Sequence, residues 1–222
     1  MEIKMKLDRK LCMGFMRALL TISIGISLPG CSLTGEAFSG YVLEQGTESP
    51  IEGAIVVAGW KGHVATWAHG RTVCYHVETA VTDSNGRFHF PAWRKDISEK
   101  WQKNVRFERV SVDIYFPAYE LSSRLSEGVY SLEPFVGGQK KRIEYLKEFE
   151  ISLRGCRSRS AGESSLIPVY RALYNEVKGL DKVDEAESAA NAFLAGIDVI
   201  ELGYDEGLRR AVERTGRNGE GR

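Results

Sequence analysis

The sequence has no excess of charge of either sign: 30 lysines and arginines balance 30 aspartates and glutamates. It therefore lacks the basic field that attracts nucleic acid, and we expect no DNA or RNA partner. Several motifs that carry chemistry are also missing. There is no HExxH or HxH pair, no CxxC pair, no Gly-x-Ser-x-Gly turn and no phosphate-binding loop. We therefore predict a non-enzymatic protein with no catalytic residue, no metal site and no cofactor.

Long apolar runs are scarce, and the one near the N-terminus is short. It extends from Ala18 to Leu28 without a charged residue. A membrane-spanning helix needs about 20 apolar residues, so this run has the length of a signal-peptide core instead. The residues before it hold five basic and two acidic side chains, which suits the start of a signal peptide. We therefore predict a signal peptide over residues 1–30.

The segment Leu28-Pro29-Gly30-Cys31 resembles the lipobox of bacterial lipoproteins. The resemblance implies cleavage before Cys31 and acylation of that cysteine. Two or more acyl chains give stable attachment to a bilayer. Ser32 follows the cysteine where an aspartate would imply retention, so the resemblance implies the outer membrane, facing the periplasm. The alternative is an ordinary cleaved signal followed by a chance cysteine.

Cysteine is scarce, with 4 in the chain. Cys12 belongs to the leader and Cys31 to the anchor, which leaves Cys74 and Cys156 in the exported part. That part has 25 basic and 28 acidic residues, a net charge of −3. Disulfides persist in oxidising compartments, so export predicts a bridge between Cys74 and Cys156. Two separate buried thiols are the alternative.

Short β-branched or aromatic runs alternate with turn residues through the middle of the chain, which is typical of an antiparallel β-sandwich. The predicted strands are Phe38–Glu44, Ile51–Ala58, Tyr75–Thr82, Arg87–Phe90, Val110–Phe116 and Glu148–Arg154. Asp83-Ser-Asn85-Gly86 predicts a hairpin turn between the third and fourth strands, because Asn-Gly accepts positive φ. We expect the Asp83 carboxylate to accept hydrogen bonds from amides of this turn.

Three segments carry a resemblance to the carboxypeptidase regulatory-like domain. They are Gly40-Tyr-Val42, Pro50-Ile-Glu-Gly-Ala-Ile-Val56 and Thr82-Asp-Ser-Asn-Gly-Arg-Phe88. The resemblance implies a transthyretin-like (prealbumin-like) β-sandwich and an accessory or binding role without catalysis. It also implies a final strand that contains Ile151 and Leu153.

Residues 59–73, 92–108 and 121–146 lengthen connections between strands, relative to that family. We expect them to form loops.

After Leu153 the apolar residues recur every three or four positions, which predicts helices. Gly179 has the position of a helix C-cap and Asp181 that of the next N-cap, so the pattern favours an αα-hairpin. The predicted organisation is a signal peptide (1–30), a lipidated linker (31–37), a β-sandwich (38–156), a helical hairpin (157–204) and a flexible tail (205–222).

Two groups of side chains are candidates for binding. The four histidines, His63, His69, His76 and His89, lie in one third of the predicted sandwich, and His76 and His89 would face each other across the Asp83 turn. The four tryptophans, Trp60, Trp67, Trp93 and Trp101, fall in predicted loops or at loop edges. Exposed indole rings stack on sugars or on a partner's side chains. Buried lids and surface strand residues are the structural alternatives.

The sequence therefore favours a membrane-anchored envelope lipoprotein that acts as a binding or structural module for a protein or glycan. Trp60, Trp67, His63 and His69 are its candidate ligand-binding residues. One alternative is a carbohydrate-binding module that uses the loop tryptophans. Another is a metal-dependent hydrolase that uses His63, His69, His76 and His89. The arginines beside Cys156 form either an anion site or a solvated connector.

Overall fold

The computed structural model describes residues 32–64, 70–96, 104–157, 162–180 and 184–219. The strands in these ranges are β1 (Ser32–Gly35), β2 (Phe38–Glu44), β3 (Ile55–Val64), β4 (Arg71–Val81), β5 (Arg87–Phe90), β6 (Trp93–Asp96), β7 (Val105–Tyr115), β8 (Tyr119–Ser126) and β9 (Val129–Pro134). The helices that follow are α1 (Gln139–Arg157), a 3₁₀ turn (Glu163–Leu166), α2 (Ile167–Lys178), α3 (Asp184–Leu202) and α4 (Tyr204–Gly219). The chain is thus β-rich with a helical C-terminal part, as the sequence predicts.

The described strands form three sheets. The outer sheet has the order β5-β2-β9-β8, the central sheet has the order β4-β3-β7, and β1 and β6 form a short two-stranded sheet. One hydrophobic core lies between the outer and central sheets, and a second lies between the central sheet and the helices. β3 is therefore covered on both faces. This explains its nearly continuous apolar sequence, which differs from the alternation of a half-exposed strand.

Sheet pairing differs from the predicted hairpin and from a wholly antiparallel arrangement. The Asp83–Gly86 turn is present, but it joins β4 of the central sheet to β5 of the outer sheet, so these strands do not pair with each other. β2 pairs with β9 in parallel, with Val42 opposite Tyr130. A chain reversal alone does not determine pairing, because successive strands can pack face to face in different sheets.

The predicted strand Glu148–Arg154 is wrong, because these residues lie within α1. The prediction that Ile151 and Leu153 belong to a final strand fails for the same reason. The alternation in this segment is genuine, but Glu150 is buried and Ile151 is 55% exposed, the reverse of a strand's pattern. Arg154 and Arg157 both bind the Glu150 carboxylate, which lets an acidic side chain occupy a buried helix position.

Segments expected to be loops also hold regular structure. Within residues 59–73, β3 continues to Val64 and β4 begins at Arg71. Residues 92–108 contain β6 and the start of β7, and 121–146 contain most of β8, all of β9 and the start of α1. The tail expected from 205 is instead helix α4 as far as Gly219.

The αα-hairpin is confirmed as α2 and α3. Pro168 lies at the start of α2, where a missing N–H costs no helical hydrogen bond, and Gly179 is the C-cap. Asp181 lies outside the described residues.

Among the described residues, no helix has the length and apolar character needed to cross a bilayer.

Candidate functional site

The predicted disulfide between Cys74 and Cys156 is present. It joins β4 of the central sheet to the end of α1, and so fastens the helical layer to the sheet. Gly59 of β3 lies directly beneath the bridge, because a Cβ there would lie 3.0 Å from the Cys156 Sγ. A residue with a side chain at position 59 would therefore press on the bridge, and the central strand carries a glycine where the disulfide crosses it.

The predicted turn also has the expected chemistry. The Asp83 Oδ1 accepts hydrogen bonds from the amides of Asn85 and Arg87, each at 2.9 Å. Gly86 has a φ of 69°, in the left-handed region that glycine adopts most easily. This aspartate is therefore a structural residue of the turn.

The structure separates the histidines instead of gathering them. His63 is exposed on β3, His76 is buried on β4, and His89 is exposed on β5 of the other sheet. The prediction that His76 and His89 face each other is wrong, because their strands do not pair. His69 lies outside the described residues. Within the described ranges no three His, Cys, Asp or Glu side chains are grouped as metal ligands.

The placement of Trp60 on a loop is also wrong. Trp60 lies within β3 and is only 2% exposed, so it presents no ring face to solvent. It packs edge-on against Trp93 of β6, with the ring centroids 5.4 Å apart. Gly35 of β1 lies over both rings, since a Cβ there would come within 2.9 Å of each indole nitrogen. Trp67 and Trp101 lie outside the described residues.

His76 is the buried polar residue of this aromatic cluster. Its ring stacks on Trp93 at a centroid distance of 3.8 Å, and its Nε2 lies 2.8 Å from Glu78 Oε1. Burial lowers the pKa of His76, and the nearby carboxylate of Glu78 opposes that shift in part. His76 and Glu78 are two residues apart on one strand, a spacing that places both on the same face and that the sequence already contained.

A β-bulge explains why His76 points inward beside Tyr75. The register between β3 and β4 passes from Trp60 opposite His76 to Lys61 opposite Cys74, which leaves Tyr75 as the extra residue. Tyr75 therefore belongs to the core between the sheets, while its neighbour Cys74 belongs to the core beneath the helices. Simple alternation does not predict such an arrangement.

A groove of about 990 Å³ lies where β7 borders the outer sheet. Its floor is apolar and comes from both sheets: Phe38, Phe107, Val110, Val112 and Tyr130. Its rim carries Ser39, His89, Glu108, Arg109, Arg124 and Glu127. We name this feature the β7 groove. Its floor residues come from strands β2, β7 and β9, which are distant in sequence, so no local motif marks the site.

Two rim arrangements are well defined. The Arg124 guanidinium lies over the Tyr130 ring, 5.8 Å from its centroid. Ser39 and His89 are opposite each other on β2 and β5, with Ser39 Oγ 2.8 Å from His89 Nδ1. In the described part of the chain, His89 has no carboxylate bonded to its other ring nitrogen. The pair therefore lacks the third group that orients a catalytic histidine.

The arginines beside Cys156 have an internal role. Arg154 and Arg157 lie 2.7 Å and 3.0 Å from the Glu150 carboxylate, to which Tyr170 also donates a hydrogen bond at 3.2 Å. Neither alternative from the sequence, an anion site or a solvated connector, accounts for these contacts. Arg159 lies outside the described residues.

Cys31 also lies outside the described residues, so its lipidation remains a prediction from the sequence.

Comparison of the chain with protein-family models, with curated proteins and with solved structures finds no match.

Proposed function

We propose that this protein is a lipid-anchored lipoprotein of the bacterial envelope that acts as a non-enzymatic binding module. The β7 groove is the observation that carries the binding role. The anchor is supported by the sequence alone, through the leader and the Leu28-Pro29-Gly30-Cys31 segment. Acyl chains on Cys31 would hold the module at the outer membrane, facing the periplasm.

The groove has the composition of a binding site. Ligand sites are concave and mostly apolar, with a few polar groups that fix orientation, and their volumes are about 300–1,000 Å³. The β7 groove reaches the top of that range and combines an aromatic floor with a charged rim. Arg124 is exposed although its guanidinium lies over an aromatic ring, an arrangement that presents a flat cationic surface to a ligand.

We further propose that the two facing sheets form a prealbumin-like sandwich of the carboxypeptidase regulatory-like type. The Gly40, Pro50 and Thr82 segments support this, since they match the family's pattern in order. The Asp83–Gly86 turn supports it as well, because it links the facing sheets at the position where the family motif stands.

The anchor is tested with Cys31→Ala in the native bacterium. The wild type should incorporate labelled palmitate and sediment with outer membranes, and the variant should do neither. Cys12→Ala is the matched control, because that residue belongs to the predicted leader and its loss should leave labelling unchanged. Unlabelled wild-type protein, or a variant that still sediments with membranes, contradicts the anchor.

The binding role is tested by placing a photo-crosslinking amino acid at His89, an exposed rim residue of the groove, in living cells, which leaves Arg124 intact. Arg94 of β6, an exposed arginine outside the groove, is the matched control position. We expect crosslinked products from position 89 and none from position 94. Equal yields from both positions, or no product from either, would refute the proposal.

A further inference from the structure

β7 is an edge strand with 11 residues, Val105–Tyr115. It pairs with β3 on one side and is the last strand of the central sheet in the described structure. In an antiparallel pair, each residue directs its N–H and C=O either toward the partner strand or away from it, in alternation. Every second residue of β7 therefore directs its backbone polar groups away from β3, at the side where the groove opens.

The two halves of this edge differ. The first half carries exposed Arg106, Glu108 and Arg109, and a register shift between Lys61 and Gly62 makes Glu108 a bulged residue. Charges and bulges on an edge are devices that prevent indiscriminate strand pairing. From Val110 to Tyr115 the register with β3 is regular. Only this second half offers an uninterrupted edge.

The regular half also borders the apolar floor of the groove. Val110 and Val112 are two residues apart, so their side chains lie on one face of β7, and both line the groove. Tyr130 lines the opposite side. A strand laid beside β7 would place every second side chain over this floor, which is the spacing that strand addition requires.

The charged side chains on the rim indicate which kind of ligand the groove would bind. Glu108 receives hydrogen bonds from Arg109 and from the Thr72 hydroxyl, so its carboxylate is already engaged. Arg124 donates to the Ser126 carbonyl and lies over the Tyr130 ring, and within the described residues neither of these partners carries a negative charge. The rim therefore offers a guanidinium that a carboxylate of the ligand would complement.

We propose that the groove binds an extended segment of a partner polypeptide, which adds to the central sheet beside β7. The segment has apolar side chains at alternate positions and an acidic residue that pairs with Arg124. This inference rests on the proposed binding function and specifies the class of ligand that the groove binds. A polypeptide fits better than a glycan, because only a peptide backbone repeats donors and acceptors at the spacing of a strand edge.

The test uses the full-length protein in detergent micelles and random peptides displayed on phage, each long enough to pair with the regular half of β7, Val110 to Tyr115. The tightest selected peptide is then synthesised with a single N-methyl group at each position in turn. Strand addition predicts that N-methylation at alternate positions weakens binding by about tenfold or more, since each removes one backbone donor. N-methylation at the intervening positions should change affinity by less than about threefold.

Two protein variants accompany the peptide series. Arg124→Glu should lower the affinity for the selected peptide by about tenfold, because it places a negative charge opposite the acidic side chain of the peptide. Arg94→Glu makes the same charge change on β6 and should leave affinity unchanged. Hydrogen exchange should slow at alternate amides between Val110 and Tyr115 when the peptide binds.

Three outcomes would refute strand addition. The library yields no binder, the selected peptide is insensitive to N-methylation, or a soluble peptidoglycan fragment slows hydrogen exchange at the groove where no peptide does. The binding role has its own test. Crosslinking at position 89 together with an N-methyl series without alternation would support the binding function and refute strand addition.

Discussion

Arg142 of α1 and Glu176 of α2 form a buried ion pair that joins two helices to the sheets. The Arg142 Nε lies 2.8 Å from Glu176 Oε1, and its Nη1 donates to the Tyr119 carbonyl at 2.6 Å. Glu176 in turn accepts a hydrogen bond of 2.7 Å from the Tyr115 hydroxyl. Both charges are thus compensated by polar partners from the end of β7 and the start of β8, which is the condition under which buried charges are tolerated.

Removing one member of this pair should be costly. Arg142→Met leaves the Glu176 carboxylate, whose side chain is 13% exposed, without its cation. We expect the free energy of unfolding to fall by about 3–5 kcal/mol, measured by urea denaturation. Lys140→Met on the same helix is the control. It breaks an exposed pair with Glu185, so a change of no more than about 1 kcal/mol is expected. Equal effects of the two variants would contradict the assigned role.

The Cys74–Cys156 bridge closes a long loop, with its ends 82 positions apart in the sequence. The chain-entropy model assigns roughly 4–5 kcal/mol to a loop of this length. We expect the double variant Cys74→Ser, Cys156→Ser to lose most of that stability in denaturation experiments. A reducing agent should reproduce the loss in the wild type and have no effect on the variant. A wild type whose unfolding midpoint is unchanged by reduction would show that the bridge contributes little.

Gly35 should not tolerate even one methyl group. A Cβ at this position would overlap the Trp93 indole nitrogen and lie 2.9 Å from that of Trp60. We expect Gly35→Ala to destabilise the protein by about 1–3 kcal/mol through displacement of the indole. Near-ultraviolet circular dichroism should report the altered tryptophan packing. Gly138→Ala is the matched control, because nothing lies within 4 Å of its Cβ position. A similar loss at both sites would argue against crowding as the cause.

His76 should make stability depend on pH. Burial lowers its pKa below the ordinary value of 6.5, although Glu78 counteracts this and Lys95 adds to it. The unfolded state therefore binds more protons than the folded state once the pH falls below about 6.5. The contribution of His76 to stability is complete above that pH and declines as the pH drops toward its folded-state pKa.

The pH dependence is measured as the urea midpoint between pH 7.5 and pH 5, values that bracket the ordinary histidine pKa of about 6.5. We expect His76→Gln to flatten the slope over this interval. His63→Gln, at an exposed histidine of β3, is the control and should retain the wild-type slope. A His76 variant with the full slope would assign the pH dependence to another group.

Turns and helices can be predicted from the sequence, whereas the contacts between residues that are distant in the sequence cannot. The Asp83–Gly86 turn and the αα-hairpin follow from residue types whose preferences are short-range, and the disulfide is expected from the export that the leader predicts. The conformation of Glu148–Arg154 depends on Arg154 and Arg157, which neutralise Glu150 and let a strand-like sequence form a helix. Glu150 and Arg154 are four residues apart, the spacing of a helical ion pair, so the sequence contains a local signal for the helix beside the strand-like alternation.

The β7 groove cannot be predicted from the sequence, because its residues meet only when the sheets assemble. Trp60 and Trp93 stand out as large aromatic residues, yet they form the packed interior near β1. The groove instead uses Phe107, Val110 and Tyr130, which belong to no motif and meet only through sheet assembly. The contact between His76 and Glu78 could have been predicted, since two residues with this spacing on a strand lie on the same face.

The parallel pairing of β2 with β9 constrains the order in which the chain can fold. β2 is the second described strand, and its two neighbours are supplied by residues 87–90 and 129–134. An N-terminal fragment that ends before residue 129 would leave one side of β2 unpaired, and unpaired strand edges promote aggregation. Contacts between distant parts of a chain also slow folding. The outer sheet can therefore be completed only when the chain as far as Pro134 is available to pair.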